Sequence, residues 1–101
     1  MDYSIRDAGN AREAHLRGRL TFSDHQAFRA MIGDLKAGTG REWVLDLASV
    51  EFIDSAGLGL LMILRESAES GRIALKLRKP HQQAARLFEV AKLAQLFTIE
   101  N

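Results

Sequence analysis

Two apolar segments lie a short turn apart near the middle of the chain, and any fold must bury both. The first, Trp43-Val44-Leu45-Asp46-Leu47, has strand length and reads as a buried central strand. The second runs from Ala56 to Leu64 (AGLGLLMIL) without one polar side chain. It is far short of the ~20 apolar residues that span a bilayer, whereas a surface helix ordinarily keeps a polar face. It therefore opens a helix with more apolar surface than one sheet-facing stripe accounts for. Ala48–Phe52 reads as the turn between the two. Asp54 or Ser55 can cap the helix, which the pattern carries from Ala56 to Ser70 with Gly71 at its C′ position.

The flanking sequence supplies layers for these elements. A short edge strand fits around Tyr3–Arg6. Glu13–Leu20 (EAHLRGRL) alternates as a second strand, its Gly18 marking a bulge or a close backbone approach. Ser23 is placed to cap a helix in which Phe28, Met31, Ile32 and Leu35 recur at helical spacing, and Gly38 and Gly40 end it. Arg72–Arg78 alternates with Ile73, Leu75 and Leu77 facing one way, until Pro80 breaks it. Gln82–Leu93 carries Ala85, Phe88, Val90, Ala91 and Leu93 as a third amphipathic helix, and Leu96–Ile99 closes as a last strand. Strands alternating with helices at this spacing make an α/β or α+β sheet domain, and 101 residues is one domain's worth.

Charge and residue usage exclude several kinds of function. Fourteen Lys and Arg against thirteen Asp and Glu give +1, which argues against a nucleic-acid binder working through bulk charge. Cysteine is absent, which excludes a disulfide framework, a thiolate metal site and a cysteine nucleophile. Met1-Asp2-Tyr3-Ser4 carries no secretory pattern, so the expectation is a cytoplasmic, soluble chain with no membrane insertion.

The enzyme motifs fail where they come nearest. A nucleophile elbow needs G-x-S-x-G, but Ile53 stands two residues before Ser55. A dinucleotide fingerprint starting at Gly57 needs glycine at 62, where Met62 sits, and no G-K-[ST] follows a glycine run. His15, His25 and His81 have no metal-ligand spacing, so solvated or capping roles are expected for them, with no metal and no cofactor. Catalysis is not expected.

Three features admit two readings each. Arg72, Lys76, Arg78 and Lys79 form either the solvated face of a strand or a contact for phosphate or an acidic partner. On the central helix, Gly57, Leu61, Leu64 and Ala68 form the stripe that faces the sheet, while Leu58 and Met62 fall off it. Those two are either covered by a neighbouring helix or form an apolar patch awaiting a partner. Gly57 and Gly59 each cost roughly 1 kcal/mol in a helix relative to alanine. They serve either tight helix–sheet packing or an open approach to the Ser55 hydroxyl.

The run VLDLASVEFIDSAGLGLL (Val44–Leu61) resembles the signature of STAS domains, and is most similar to the stand-alone bacterial anti-sigma factor antagonists. The resemblance runs nearly the full length. It implies a four- to five-stranded mixed sheet with helices packed mainly on one side. It also implies partner switching. The unphosphorylated protein binds an anti-sigma factor serine kinase and frees a sigma factor, phosphorylation breaks that complex, and a PP2C-type phosphatase restores it. The acceptor serine corresponds to Ser55 and the preceding aspartate to Asp54.

Ala56, Gly57, Leu58 and Gly59 fall on the implied contact turn, Met62 lies one turn further on, and Thr21 and Ser23 follow the second strand beside it. Ala56 stands where the family often has a second serine, which leaves Ser55 as the turn's one hydroxyl. Thr21 stands where an acidic residue often follows the G-x-L of the second strand, here Gly18-Arg19-Leu20. The alternatives are a non-switching STAS subunit, of a lipid-transport ABC complex or a stressosome-like scaffold, and a small nucleotide-binding or hydrolytic protein using Ser55.

Overall fold

A long strand organises everything else. In the computed structural model, which describes all 101 residues, β3 (Glu42–Ile53) lies at the centre of a five-stranded sheet of order β1-β2-β3-β4-β5. The other strands are β1 (Asp2–Ala8), β2 (Ala11–Leu20), β4 (Ala74–Arg78) and β5 (Thr98–Glu100), with β2 and β4 flanking β3. β1 and β2 form an antiparallel hairpin, turned at Gly9 (φ +63°), and the remaining pairs are parallel. Parallel neighbours need crossover connections. These are supplied by the helices α1 (His25–Lys36), α2 (Ser55–Ser70) and α3 (Gln82–Val90).

Alternation along the strands makes a two-faced sheet. Leu16 and Leu20 of β2, Trp43, Leu45, Leu47, Val50 and Ile53 of β3 and Leu77 of β4 point one way. They merge with Phe28, Met31, Ile32 and Leu35 of α1, with Leu60, Leu61, Leu64 and Ala68 of α2, and with Ala84 and Phe88 of α3 in one buried cluster. The expected mixed sheet with helices on one side is what the chain forms. The other face carries charge, including the buried carboxylates of Glu13 and Asp46.

Several local expectations are corrected. Ala48–Phe52 is not a turn; the strand runs through it to Ile53. β3 reaches that length against the shorter β2 by carrying extra residues at two register shifts, after His15 and after Gly18. Gly18 sits at the second shift with φ +95° and open space around it, so it serves the bulge and not a close approach. Ser23 does not cap α1. A single 3-10 turn at Phe22–Asp24 precedes the helix, and the Asp24 carboxylate accepts from the Thr21 N–H (2.8 Å) and hydroxyl (3.2 Å).

Gly71 ends α2 with φ −91°, and the left-handed residue is Arg72 (φ 56°). α3 stops at Val90, two residues before Lys92 turns left-handed (φ 55°), and Val90, which falls roughly opposite buried Phe88 at ~3.6 residues per turn, is 82% exposed instead of packed. The last two strands are Ala74–Arg78 and Thr98–Glu100, shorter and later than the patterns at 72–78 and 96–99.

Candidate functional site

The carboxyl ends of β2 and β3 lie side by side, with Leu20 paired to Ile53. The chain leaves both strands there, into the Thr21–Asp24 turn and into α2. Asp54 joins the two. Its Oδ1 accepts from the Gly57 N–H (2.7 Å) and caps α2, and its Oδ2 receives the Phe22 N–H at a longer 3.4 Å. The Asp54 N–H donates to the Leu20 carbonyl (3.2 Å). Between the Asp54 and Ser55 readings of the cap, the structure chooses Asp54.

With Asp54 taking the Gly57 N–H, Ser55 is the first helical residue; it is exposed, and its hydroxyl takes no part in the intramolecular hydrogen bonding. Ala56 is half-buried. Gly57 is buried: a Cβ there would run into the Leu20 carbonyl oxygen and come within 2.8 Å of Ile53 Cγ2. Gly59 is exposed with nothing within 4 Å of a Cβ. The two glycines thus divide the two readings, Gly57 for helix–sheet packing and Gly59 for openness. Leu58 and Met62 are neither bare nor covered; both are half-buried and rest on the edge of the core. Thr21 and Ser23 come to the same end of the sheet, their hydroxyls 3.2 Å apart.

Two residues of this corner have no counterpart among the expectations. Phe22 is 81% exposed beside the Asp54 carboxylate. It precedes the helix and lies outside the Phe28–Leu35 stripe, and that absence from any buried pattern is the signal by which it could have been found. Gln83, on α3, grips Ile53 through both amide atoms: Oε1 accepts from the Ile53 N–H and Nε2 donates to the Ile53 carbonyl, each at 2.9 Å. β4 pairs with β3 only as far as Asp46. The Gln83 amide therefore replaces a neighbouring strand at the residue immediately before Asp54.

The polar sheet face holds a second constellation. Arg78 donates to Asp46 (2.9 and 3.2 Å) and to Glu13 (3.2 and 3.3 Å), and Arg6 donates to Glu13 at 2.8 Å. The Ala48 N–H donates to Asp46 at 2.9 Å, and His15 Nδ1 lies 3.5 Å from the same carboxylate. Hydrogen bonds from Arg78, then from Arg6, hold Glu13 below its usual range against the opposing effect of burial. Burial pushes Asp46 up, but the Ala48 N–H, Arg78 and His15 together bring it below. Of the four clustered cations, Arg78 is thus committed to carboxylates and Lys76 lies 3.3 Å from Glu100, while Arg72 and Lys79 remain exposed. The histidines stand apart, on β2, at the start of α1 and before α3, and no group of His, Asp and Glu side chains has metal-binding geometry.

Comparison with known proteins agrees with this architecture. A family model described as "Mlab, STAS domain" matches residues 4–98. A STAS-domain containing protein of Pseudomonas aeruginosa (strain UCBPP-PA14) is 31% identical over 84 residues, 83% of this chain and 82% of that one. Among solved structures, a Thermotoga maritima protein described as a "putative anti-sigma factor antagonist" superposes with TM-score 0.85 at 20% identity, covering 98% of this chain and 86% of its own.

The anti-sigma factor antagonist SpoIIAA of Bacillus, solved in unphosphorylated and phosphorylated forms, superposes with TM-score 0.70 at 18% identity. Each form covers 99% of this chain, with 87% and 92% of its own covered. A sulfate transporter family protein from Wolinella succinogenes shares the fold at TM-score 0.78 and 16% identity, over 92% of this chain and 78% of its own. No helix here is long and apolar enough to cross a membrane.

Proposed function

The chain belongs to the STAS domain family, and on that premise we propose that it is a binding module of the anti-sigma factor antagonist kind, switched by phosphorylation of Ser55. The observation that carries this reading is an exposed hydroxyl one residue past the Asp54 cap, one helical turn before open Gly59, at a corner where the Asp54 carboxylate also receives the N–H of exposed Phe22. The unphosphorylated protein binds an anti-sigma factor that is also a serine kinase. That kinase modifies Ser55, and a PP2C-type phosphatase reverses the step. Phe22, Leu58 and Met62 supply apolar contact area, with Asp54, Ala56, Gly59, Thr21 and Ser23 around them.

The switch works by charge. A helix N-terminus accepts a phosphate without refolding, because the free N–H groups and the dipole favour an anion there. The surface gains about −1.5 to −2 units of charge next to Asp54. A partner seated over Phe22 and Leu58 must then desolvate that charge. Burying one such apolar side chain contributes on the order of 1.5–3 kcal/mol, and a badly placed buried charge costs several.

Ser55→Ala binds the partner constitutively and Ser55→Asp binds it poorly, while both melt close to wild type. Mapping of the phosphate by mass spectrometry after incubation with the cognate kinase tests the assignment; modification at Thr21, Ser23 or Ser49 overturns it. A second reading, a non-switching subunit of a transport assembly such as a lipid-transport ABC complex, is favoured by the description of the matching family model and by the fold shared with a transporter family protein. Under it, Ser55→Asp leaves partner binding unchanged.

A further inference from the structure

β1 is the one long edge of the sheet. It is paired only to β2, over seven residues and with an unbroken register. Proteins usually blunt such edges with charged side chains, lysine above all, or with proline, bulges or shortness. β5, the opposite edge, has three residues. β1 (DYSIRDA) has no lysine, proline or bulge, and its charges, Asp2, Arg6 and Asp7, are of both signs, so they can match each other across a second copy.

We propose that β1 pairs antiparallel with β1 of a second copy of the chain, about a two-fold axis through Ser4, joining the two sheets into one. In this register Asp2 lies opposite Arg6 of the second copy, twice, on the polar face, where both are exposed. Tyr3 lies opposite Ile5, twice, on the helix side, where both already rest against the core. Opposite charges and aromatic–β-branched pairs are the cross-strand combinations that stabilise a sheet. Moving the axis to Ile5 sets Tyr3 against Asp7 and Ser4 against Arg6, which loses both matches. The self-complementarity is particular to one register.

The layer above the strand leaves space for a second copy. Tyr3 Oη donates to Asp34 at 2.6 Å, which marks the side of α1 that overhangs β1. At ~3.6 residues per turn, Ala27, Ala30 and Ala37 fall on that same side. Ala30 and Ala37 are small and exposed; the large side chains on this side are Tyr3 and Arg12, and Arg12 spans from Asp7, beyond the paired residues 2–6, to the Asp34 carbonyl. Ser55 follows β3, two strands inward, so the pairing leaves the phospho-acceptor corner free and does not rest on its assignment.

The absence of cysteine makes the register testable. Residues directly opposite in an antiparallel pair have Cα atoms ~4.5–5.5 Å apart, inside the ~4.4–6.8 Å range of disulfides. Under mild oxidation, Ser4→Cys forms a covalent dimer on its own. Asp2→Cys and Arg6→Cys each stay monomeric alone and cross-link when mixed. Sedimentation of the unmodified chain over a concentration series shows a monomer–dimer equilibrium, weakened roughly tenfold or more by Arg6→Asp and recovered by adding Asp2→Arg, with circular dichroism confirming that both variants fold. A wild-type chain that stays monomeric throughout overturns the proposal. So does cross-linking that proceeds equally well from all three single-cysteine variants.

Discussion

The same substitution at two glycines of one helical turn should change stability in opposite directions. Neither Gly57 nor Gly59 has a positive φ, so alanine is conformationally acceptable at both and gains up to about 1 kcal/mol of helix propensity. At Gly59 nothing opposes that gain, because no atom lies within 4 Å of the added methyl. Gly59→Ala should therefore stabilise by about 0.5–1 kcal/mol. At Gly57 the methyl meets the Leu20 carbonyl oxygen, with Leu20 C at 3.2 Å and Ile53 Cγ2 at 2.8 Å. Leu20 and Ile53 are paired strand residues, and that backbone cannot yield as a flexible side chain can.

The start of α2 must then lift from the sheet, stretching the Asp54 N–H bond to Leu20 (3.2 Å) and shifting the Ser55 turn. Overpacking of this kind costs typically about 1–3 kcal/mol, which exceeds the propensity gain. The propensity gain is common to both variants, so they differ by the packing cost alone; with about 4 °C in Tm per kcal/mol for a domain near this size, that is roughly 4–12 °C. Thermal and urea denaturation followed by circular dichroism measures the difference. Equal stability of the two variants, or a Gly57→Ala as stable as wild type, would falsify the assignment of Gly57 to packing.

Three other perturbations report on the remaining contacts. Arg78→Met leaves the carboxylates of Glu13 and Asp46 buried without their main cation, a loss of about 3 kcal/mol at neutral pH, readable by urea titration. Because both carboxylates titrate below their usual ranges in the folded chain, their contribution is present above about pH 4–5 and is lost as pH falls through the folded values. The penalty of Arg78→Met should therefore shrink towards pH 3, and a pH-independent penalty contradicts the network. Gln83→Ala leaves the N–H and carbonyl of Ile53 unpaired at a partly buried position, at about 1–3 kcal/mol. It should speed amide hydrogen exchange at Ile53 more than at Leu45. Met62→Lys, at a half-buried position, should keep the fold and weaken partner binding at least tenfold, about 1.4 kcal/mol; loss of the cooperative melt would assign Met62 to the core.

What the sequence displays and what it hides divide along one physical line. Helix stripes and caps are local, so Phe28, Met31, Ile32 and Leu35 of α1, and Gly57, Leu61, Leu64 and Ala68 of α2, could be assigned to the core from spacing alone, and all are buried. The Asp54–Ser55 corner is legible for the same reason, since a capping carboxylate and the residues it serves lie within three positions. Bulges break such periodicity. In β3 the core residues Leu47, Val50 and Ile53 come three apart instead of two, and a segment that alternates irregularly looks like a turn.

The partners that complete the site are set by strand register, which no local pattern carries. Gln83 reaches Ile53 across 30 residues, the Phe22 N–H reaches Asp54 across 32, and Arg78 joins Glu13 across 65. In the proposed switch, the groups that take and tolerate the phosphate are therefore the legible ones. The exposed aromatic beside Asp54, which would let a partner distinguish this STAS domain from another, is fixed by where β2 ends against β3. A relative could keep the D-S-x-G-L-G core unchanged and still refuse this chain's partner by altering Phe22 alone.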